Sequence, residues 1–91
     1  MKYELVTTAK FRKDLKRIKK RGLPCKELQW VLDELLAGHT LPAEYHDHGL
    51  SGNYAGVREC HVRPDWLLLY MVSDEILVLT ALRTGSHSDL L

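Results

Sequence analysis

Residues 54–82 read YAGVRECHVRPDWLLLYMVSDEILVLTAL and decide the fold. Three runs rich in aliphatic, aromatic and β-branched residues, at 54–62, 66–72 and 75–82, are separated by turn-forming residues. Short runs with tight connections predict an antiparallel meander. Because the last two runs are apolar on both faces, we expect helices on one side of them and another cover, such as a partner chain, on the other.

The residues before the meander follow a helical period. Apolar side chains spaced by four and three among lysines predict a helix over residues 9–21, and Gly22 with the nearby Pro24 ends it. A second run with one apolar face predicts a helix over 25–37, which stops at Gly38. A short strand over 3–7 precedes both helices, with Thr7 or Thr8 as the N-cap of the first one.

The predicted order is therefore β-α-α-β-β-β, an α+β fold with a helical hairpin packed on a small, mainly antiparallel sheet. We expect one domain over residues 1–91, and a composition of 45% hydrophobic and 27% charged residues fits a globular chain. No apolar run reaches the roughly 20 residues that span a bilayer. The first residues lack a signal peptide, and two cysteines form no disulfide framework. We expect a cytoplasmic protein with reduced thiols and no membrane partner.

Positive charge is concentrated in the first predicted helix. Residues 10–26 contain nine basic residues and one acidic residue, although the net charge of the chain is only +1. A helix of this kind suits phosphate backbones, acidic proteins or anionic membrane surfaces, and it is also compatible with a merely solvated helix face.

The strand register gathers reactive side chains at one corner of the sheet. Pairing across the first turn sets residue 61 or 62 opposite residue 65 or 66, and a turn at residues 73–74 returns Arg83 to the same corner, near residue 64. His87 follows four residues later, so the chain can fold back over the corner. The sequence predicts a cluster of His61, Asp65, Arg83 and His87.

Two histidines in such a cluster are suited to RNA cleavage without a metal or another cofactor. One imidazole can accept a proton while another donates one near neutral pH, and the 2'-hydroxyl of RNA supplies the nucleophile. Arg83 would stabilise charge on the phosphorane, and Asp65 would orient an imidazole or share in proton transfer. Taken singly, each residue also has an ordinary interpretation as surface or turn chemistry.

A metal site is an alternative interpretation of the histidine-rich connection. His46, Asp47 and His48 follow one another closely, and His61 or His87 would complete a ligand set. The chain has neither a CxxC nor an HExxH pattern that would support it.

Three motifs resemble one known family. They are DHGLSG at 47–52, RECHVRPDWLLLY at 58–70 and RTGSH at 83–87. In sequence and spacing they are similar to the YafQ branch of the RelE-like toxins of bacterial type II toxin–antitoxin systems, and the similarity extends more loosely over the whole chain. The resemblance implies the RelE-like microbial RNase fold.

The resemblance also implies an activity, partners and a set of site residues. Such toxins are ribosome-dependent endoribonucleases that cut mRNA in the A site and are held inactive by a cognate antitoxin. The matching positions imply His48, His61, Asp65 and His87 as the acid–base residues, with His48 and His87 as base and acid, and Arg83 beside them. The basic helix would contact RNA phosphates through Lys13, Lys16, Arg17 and Lys20.

This sequence departs from the family pattern at two positions. Glu59 stands where the best-known members have an aspartate. Leu91 stands where those members have a phenylalanine near their C-terminal end. Two alternatives remain: a non-enzymatic toxin of the same fold that inhibits a protein such as gyrase, and an RNA-binding module with structural histidines.

Overall fold

The computed structural model describes residues 1–90 and confirms the predicted α+β fold. The elements in chain order are β1 (Glu4–Thr7), α1 (Ala9–Lys20), α2 (Cys25–Leu36), β2 (His48–Gly49), β3 (Arg58–Arg63), β4 (Trp66–Ser73), β5 (Val78–Gly85) and α3 (His87–Leu90). The sheet order is β1-β5-β4-β3-β2. β1 pairs parallel with β5, and every other pair is antiparallel.

Local sequence chemistry sets the ends of the two long helices. Thr8 is the N-cap of α1, because its Oγ1 accepts a hydrogen bond from the backbone N–H of Phe11 at 3.0 Å. Gly22 adopts a φ of +76°, which lets the chain reverse between α1 and α2. Both helices end one residue before their predicted limits.

The core lies between the helices and one face of the sheet. Alternation along β3 and β4 directs Cys60, Leu68 and Tyr70 into it, where they meet the apolar stripes of α1 and α2. Within residues 1–90 both cysteines are free thiols, and burial raises the pKa of the Cys60 thiol to about 12. No helix of the described part of the chain is long and apolar enough to cross a bilayer.

The opposite face of the sheet is only partly covered. Leu50, Tyr54 and Leu90 border a small cavity over Leu67 and Leu69, so the β2 region and α3 cover the middle of this face. Nearer the β1 edge, two large side chains remain open to solvent, those of Val6 and Met71. The candidate site lies on this second face.

Two predicted strand boundaries are wrong. The strand predicted over 54–62 begins at Arg58, because residues 52–54 form a 3-10 turn. The strand predicted over 75–82 begins at Val78, because Ser73 pairs with Val78 and the four residues between them form the turn. Leu77 occupies that turn with a φ of +54°.

Candidate active site

Strand pairing places three polar side chains on the partly covered face. Glu59 and His61 alternate along β3 with the buried Cys60, so both lie on the side away from the helices. In the β2–β3 pairing His48 stands directly opposite Glu59 and therefore shares its face. The two-residue strand β2 is what brings His48 to the site.

The β3–β4 turn and α3 supply the other two predicted residues. Oδ1 of Asp65, in the turn, accepts hydrogen bonds from the backbone N–H of His87 at 2.9 Å and from its Nδ1 at 2.6 Å. The ring centroids of His87 and His61 are 5.9 Å apart. The structure thus brings together His48, His61, Asp65 and His87.

Each of the three imidazoles has its Nδ1 beside an oxygen acceptor. The partners are the His46 carbonyl for His48 at 2.6 Å, the Pro64 carbonyl for His61 at 3.2 Å, and Asp65 for His87. A carbonyl oxygen can only accept, so Nδ1 carries the proton in these hydrogen bonds. This fixes the tautomer of the neutral rings and leaves Nε2 of each ring as the nitrogen that can gain or lose a proton.

Glu59 links two of the imidazoles. Its Oε1 lies 3.6 Å from Nε2 of His48 and 3.5 Å from Nε2 of His61, so it forms an ion pair with either ring once that ring is protonated. In the sequence Glu59 stands out only as a departure from the family pattern. The signal that would have placed it at the site is its spacing of two from His61 on a strand.

The carboxyl group of Asp65 is held in its charged form. The backbone N–H of His87, and then its imidazole, donate hydrogen bonds that lower the pKa of Asp65 below its usual value. The carboxylate is available as an acceptor throughout the range in which imidazoles titrate, so it can hold the His87 ring in either protonation state.

An ionic contact with α1 holds α3, and with it His87, in place. Nη1 and Nη2 of Arg21 donate to Oδ2 and Oδ1 of Asp89 at 2.5 and 2.8 Å, and Asp89 also accepts from the backbone N–H of Ser86 at 2.9 Å. The hydrogen bond from Arg21 has the largest effect, followed by the one from Ser86, and they hold the pKa of Asp89 well below the ordinary carboxyl range. A Cβ on Gly85 would lie 2.8 Å from Oδ2 of Asp89, so this close packing requires glycine.

Arg83 does not lie at the predicted corner. The four-residue β4–β5 turn and a bulge set Arg83 opposite Leu69 instead of near Pro64. Its guanidinium donates to Asp14 on α1, from Nε at 2.7 Å and Nη2 at 3.0 Å, and Asp14 is only 2% exposed. The predicted position of Arg83 near Pro64 is therefore wrong, and the structure gives Arg83 a buried ion-pair partner on α1.

The basic residues of α1 form one exposed stripe. Lys13, Lys16, Arg17 and Lys20 are all exposed and spaced by three and four, so they share a helix face. Arg17 approaches Asp14 and Asp89 at 3.3 and 3.8 Å, which connects the stripe to α3 and the His87 side of the site.

The metal alternative finds no support in this geometry. Within residues 1–90 no group of three or more His, Cys, Asp or Glu side chains is arranged to hold a metal ion. Asp47, one of the proposed ligands, instead accepts a hydrogen bond from the Tyr70 hydroxyl at 2.6 Å and lies 3.4 Å from Nε of Arg58.

Several solved structures that match this fold over nearly their whole length are of bacterial toxins. A metal-bound toxin from Helicobacter pylori is 39% identical with a TM-score of 0.92, and the match covers 98% of this chain and 99% of that one. A chain of the Escherichia coli DinJ-YafQ toxin-antitoxin complex is 34% identical with a TM-score of 0.89, over 100% of this chain and 99% of that one.

The relationship is also evident in sequence. The mRNA interferase toxin YafQ of Escherichia coli (strain K12) is 39% identical over 85 residues, which cover 91% of this chain and 89% of that protein. The family model for YafQ, a bacterial toxin of type II toxin-antitoxin systems, matches residues 3–91, and the chain belongs to this family. The resemblance seen in the three motifs is confirmed.

Proposed function

We propose that the chain is an endoribonuclease that cuts mRNA by metal-independent acid–base transesterification. The observation that carries this proposal is the convergence of His48, His61 and His87, each with Nδ1 at an acceptor and Nε2 available to a substrate. Imidazole is the side chain whose protonation changes near neutral pH. A carboxylate stands beside every ring, Glu59 at the first two and Asp65 at the third.

The RNA supplies its own nucleophile in this reaction. Nε2 of a neutral imidazole removes the proton of the 2'-hydroxyl, and the 2'-oxygen forms a bond to the adjacent phosphorus. The bond from phosphorus to the 5'-oxygen breaks while a protonated imidazole donates its Nε2 proton to that oxygen. The products are a 2',3'-cyclic phosphate and a 5'-hydroxyl, and each positioned proton transfer contributes about 10² to 10⁴-fold in rate.

The order of the histidines supports His48 as the base and His87 as the acid. His61 shares Glu59 with His48 on one side and lies 5.9 Å from the His87 ring on the other. Attacking and leaving oxygens stand in line on opposite sides of phosphorus, so their proton-transfer groups belong at opposite ends of the row. His61 is then next to the phosphate oxygens and takes the charge-stabilising role first expected of Arg83.

We further propose that the target is mRNA in the ribosomal A site and that a cognate antitoxin holds this toxin inactive in the cytoplasm. Support comes from the 39% identity with an mRNA interferase toxin and from the likeness to a chain of a toxin-antitoxin complex. The exposed stripe of Lys13, Lys16, Arg17 and Lys20 suits contacts with ribosomal RNA phosphates.

The test is primer extension on cellular mRNA after induction, with growth followed in parallel. We expect the parent to arrest growth and to produce new mRNA ends, and His61→Ala and His87→Ala to do neither. His39→Ala is the matched control, because His39 is exposed and bonded to Glu34 outside the site. Co-expression of the adjacent antitoxin gene should restore growth. Arrest that survives in both site variants, with loss of DNA supercoiling, would instead indicate a protein target.

The metal-independent mechanism has a separate test. Because the Helicobacter pylori toxin of this fold is metal-bound, cleavage by purified protein on programmed ribosomes should be measured after the toxin has been treated with chelator and the chelator removed. We expect an unchanged rate. A loss that added Zn²⁺ or Cu²⁺ reverses would contradict this part of the proposal and leave mRNA cleavage intact.

A further inference from the structure

A groove opens beside His61 on the side away from Glu59. Its larger part is a cavity of about 640 Å³ between the 3-10 turn Ala43–Tyr45 and the β3–β4 turn. Its smaller part, about 200 Å³, shares Tyr45 and Val62 with the first and continues to Trp30 on α2. We call the two parts together the aromatic groove; the volume of the larger one falls in the roughly 300–1,000 Å³ range of small-molecule sites.

Aromatic rings line the aromatic groove from the catalytic cluster outward. The ring of His46 meets that of His61 edge-on, with 5.6 Å between centroids. Tyr45 stacks on Trp30 at 5.4 Å with an interplanar angle of 28°, so both rings are held in place. Trp30 is still 43% exposed, which is unusual for a large aromatic side chain. The rings of His46, Tyr45 and Trp30 take no part in the proposed acid–base chemistry.

His46 is held in a backbone conformation that places it next to two catalytic histidines. Its φ of +46° and ψ of +42° lie in the left-handed region, which is sparsely populated by residues other than glycine and clusters at functional sites. Its carbonyl accepts the Nδ1 hydrogen of His48, and its ring contacts His61. His46 therefore connects the aromatic groove to both His48 and His61.

The charges around the aromatic groove suit a neutral ring better than a phosphate. Two cations, Lys26 and Arg63, are balanced by two anions, Glu27 and Glu44. Nε and Nη2 of Arg63 donate to the two carboxylate oxygens of Glu27, at 2.9 and 2.6 Å, so the charge of Arg63 is already neutralised. Phosphate contacts remain available on the basic stripe of α1. Aromatic faces without net charge are the surfaces on which nucleobases stack.

We propose that the aromatic groove binds the nucleobase of the nucleotide that flanks the cleaved bond, with His46 as the first ring against which it stacks. This rests on the proposed function, since the ligand is single-stranded RNA whose scissile phosphate lies at His61. Stacking is tolerant of base identity because every base has a π-face, so the groove contributes to substrate binding for all four bases. His46 is a substrate-binding residue in this scheme and takes no part in proton transfer.

The test is a saturation series of mRNA cleavage on programmed ribosomes, which separates KM from kcat. His46→Asn removes the ring but keeps the preference for left-handed backbone, and His46→Phe keeps an aromatic ring without an ionisable nitrogen. We expect His46→Asn to raise KM about tenfold, with a much smaller change in kcat. A tenfold change lies in the lower part of the range of affinity losses when one base-stacking side chain is removed. His46→Phe should stay within about threefold of the parent in both parameters. His39→Ala is the control for loss of an exposed histidine.

Several outcomes would overturn the inference, and each differs from failure of the proposed function. Equal KM values for parent and His46→Asn would contradict stacking, and equal losses in His46→Asn and His46→Phe would assign an imidazole-specific role. Weaker antitoxin binding by His46→Asn with unchanged cleavage would assign the aromatic groove to the protein partner. If the proposed function itself is wrong, the parent cuts no mRNA. Matching thermal unfolding curves confirm that the variants are folded.

Discussion

The Nδ1 atoms of three imidazoles decide what the site presents to RNA. The backbone carbonyls of His46 and Pro64 and the carboxylate of Asp65 each take one Nδ1 hydrogen. Nε2 is thereby the nitrogen that exchanges a proton in every ring. Among these Nδ1 acceptors only Asp65 carries charge, so a protonated His87 gains an ion pair at Nδ1, whereas the carboxylate beside His48 and His61 is Glu59, at Nε2. This difference is a residue-scale reason for assigning the acid to His87.

Asp65→Asn tests that assignment. The amide retains an oxygen for the backbone N–H of His87 but loses the charge that pairs with a protonated ring. We expect kcat for mRNA cleavage to fall by about 100-fold, within the usual range for one acid–base group, with little change in KM. Single-turnover cleavage measures both. Asp33→Asn, on the outer part of α2, is the matched control, and activity of Asp65→Asn within threefold of the parent would refute the assignment.

Part of the site could be predicted from the sequence. His61 and Asp65 flank a short turn between strands, so their proximity follows from local pairing. His48 came from the family resemblance, because β2 is two residues long and has no period to detect. His46 could not be placed as a groove residue, since its ring position depends on a left-handed backbone at the end of a 3-10 turn.

At the scale of elements, the β4–β5 connection explains why Arg83 was misplaced. Ile76 and Leu77 have side chains typical of a strand, yet they lie in the turn and are 70% and 45% exposed. Hydrophobic pattern alone extends the strand through them and shortens the turn by two residues. The resulting register shift places Arg83 opposite Leu69 and not near Pro64, and its guanidinium binds Asp14 of α1.

Asp14→Ala should destabilise the whole fold. Asp14 accepts hydrogen bonds from the backbone N–H of Thr84 at 3.2 Å and from Arg83 and Arg17, and truncation to alanine takes the carboxylate away from all three donors. Breaking a buried pair by removing one partner costs about 3–5 kcal/mol. Urea unfolding measures the change in the free energy of unfolding. Asp33→Ala is the control, and a loss below 1 kcal/mol for Asp14→Ala would show that water replaces the carboxylate.

Arg21→Ala should affect activity more than stability. Arg21 and Asp89 are near the surface, where water screens an ion pair, so the free energy of unfolding should change little. Because Asp89 anchors α3, we expect His87 to lose its fixed position and cleavage to fall about tenfold. Arg12→Ala, at the other end of α1, serves as the control. Unchanged cleavage in Arg21→Ala would mean that Asp65 alone positions His87.

The same ion pair predicts a pH dependence. The pKa of Asp89 is lowered in the folded state, so its contribution to stability is present above the unfolded pKa and is lost as the pH falls through the lower, folded pKa. The difference in unfolding free energy between parent and Arg21→Ala should thus be constant from pH 7 to about pH 5 and shrink only in stronger acid. Urea unfolding from pH 7 down to about pH 3, below the ordinary carboxyl pKa, measures it. A difference that already disappears near pH 6 would point to a histidine instead.

At the scale of the whole molecule, each face of the sheet has one role. The helices α1 and α2 bury the core face, which the hydrophobic periods predicted, and the other face carries the histidines. The sequence predicted the order of the six main elements because long periodic segments are the most readable. It did not predict α3, whose four residues are held by Asp65 and Arg21 and not by a buried stripe.

The basic stripe of α1 gives the last prediction. The stripe reaches the active site where Arg17 approaches Asp89 of α3. The phosphate backbone of a bound RNA can therefore run from the site along α1. Replacing Lys13, Lys16 and Lys20 with Gln removes three exposed charges, none of which pairs with a carboxylate in residues 1–90. If each contacts one phosphate, the slope of log affinity against log salt should become shallower by roughly 2–3, at about 0.7–0.9 per phosphate.

Ribosome binding by the inactive His87→Ala toxin at several salt concentrations measures the slope, with Lys2→Gln as the control. An unchanged slope would show that α1 is a solvated face and that RNA leaves the site in another direction.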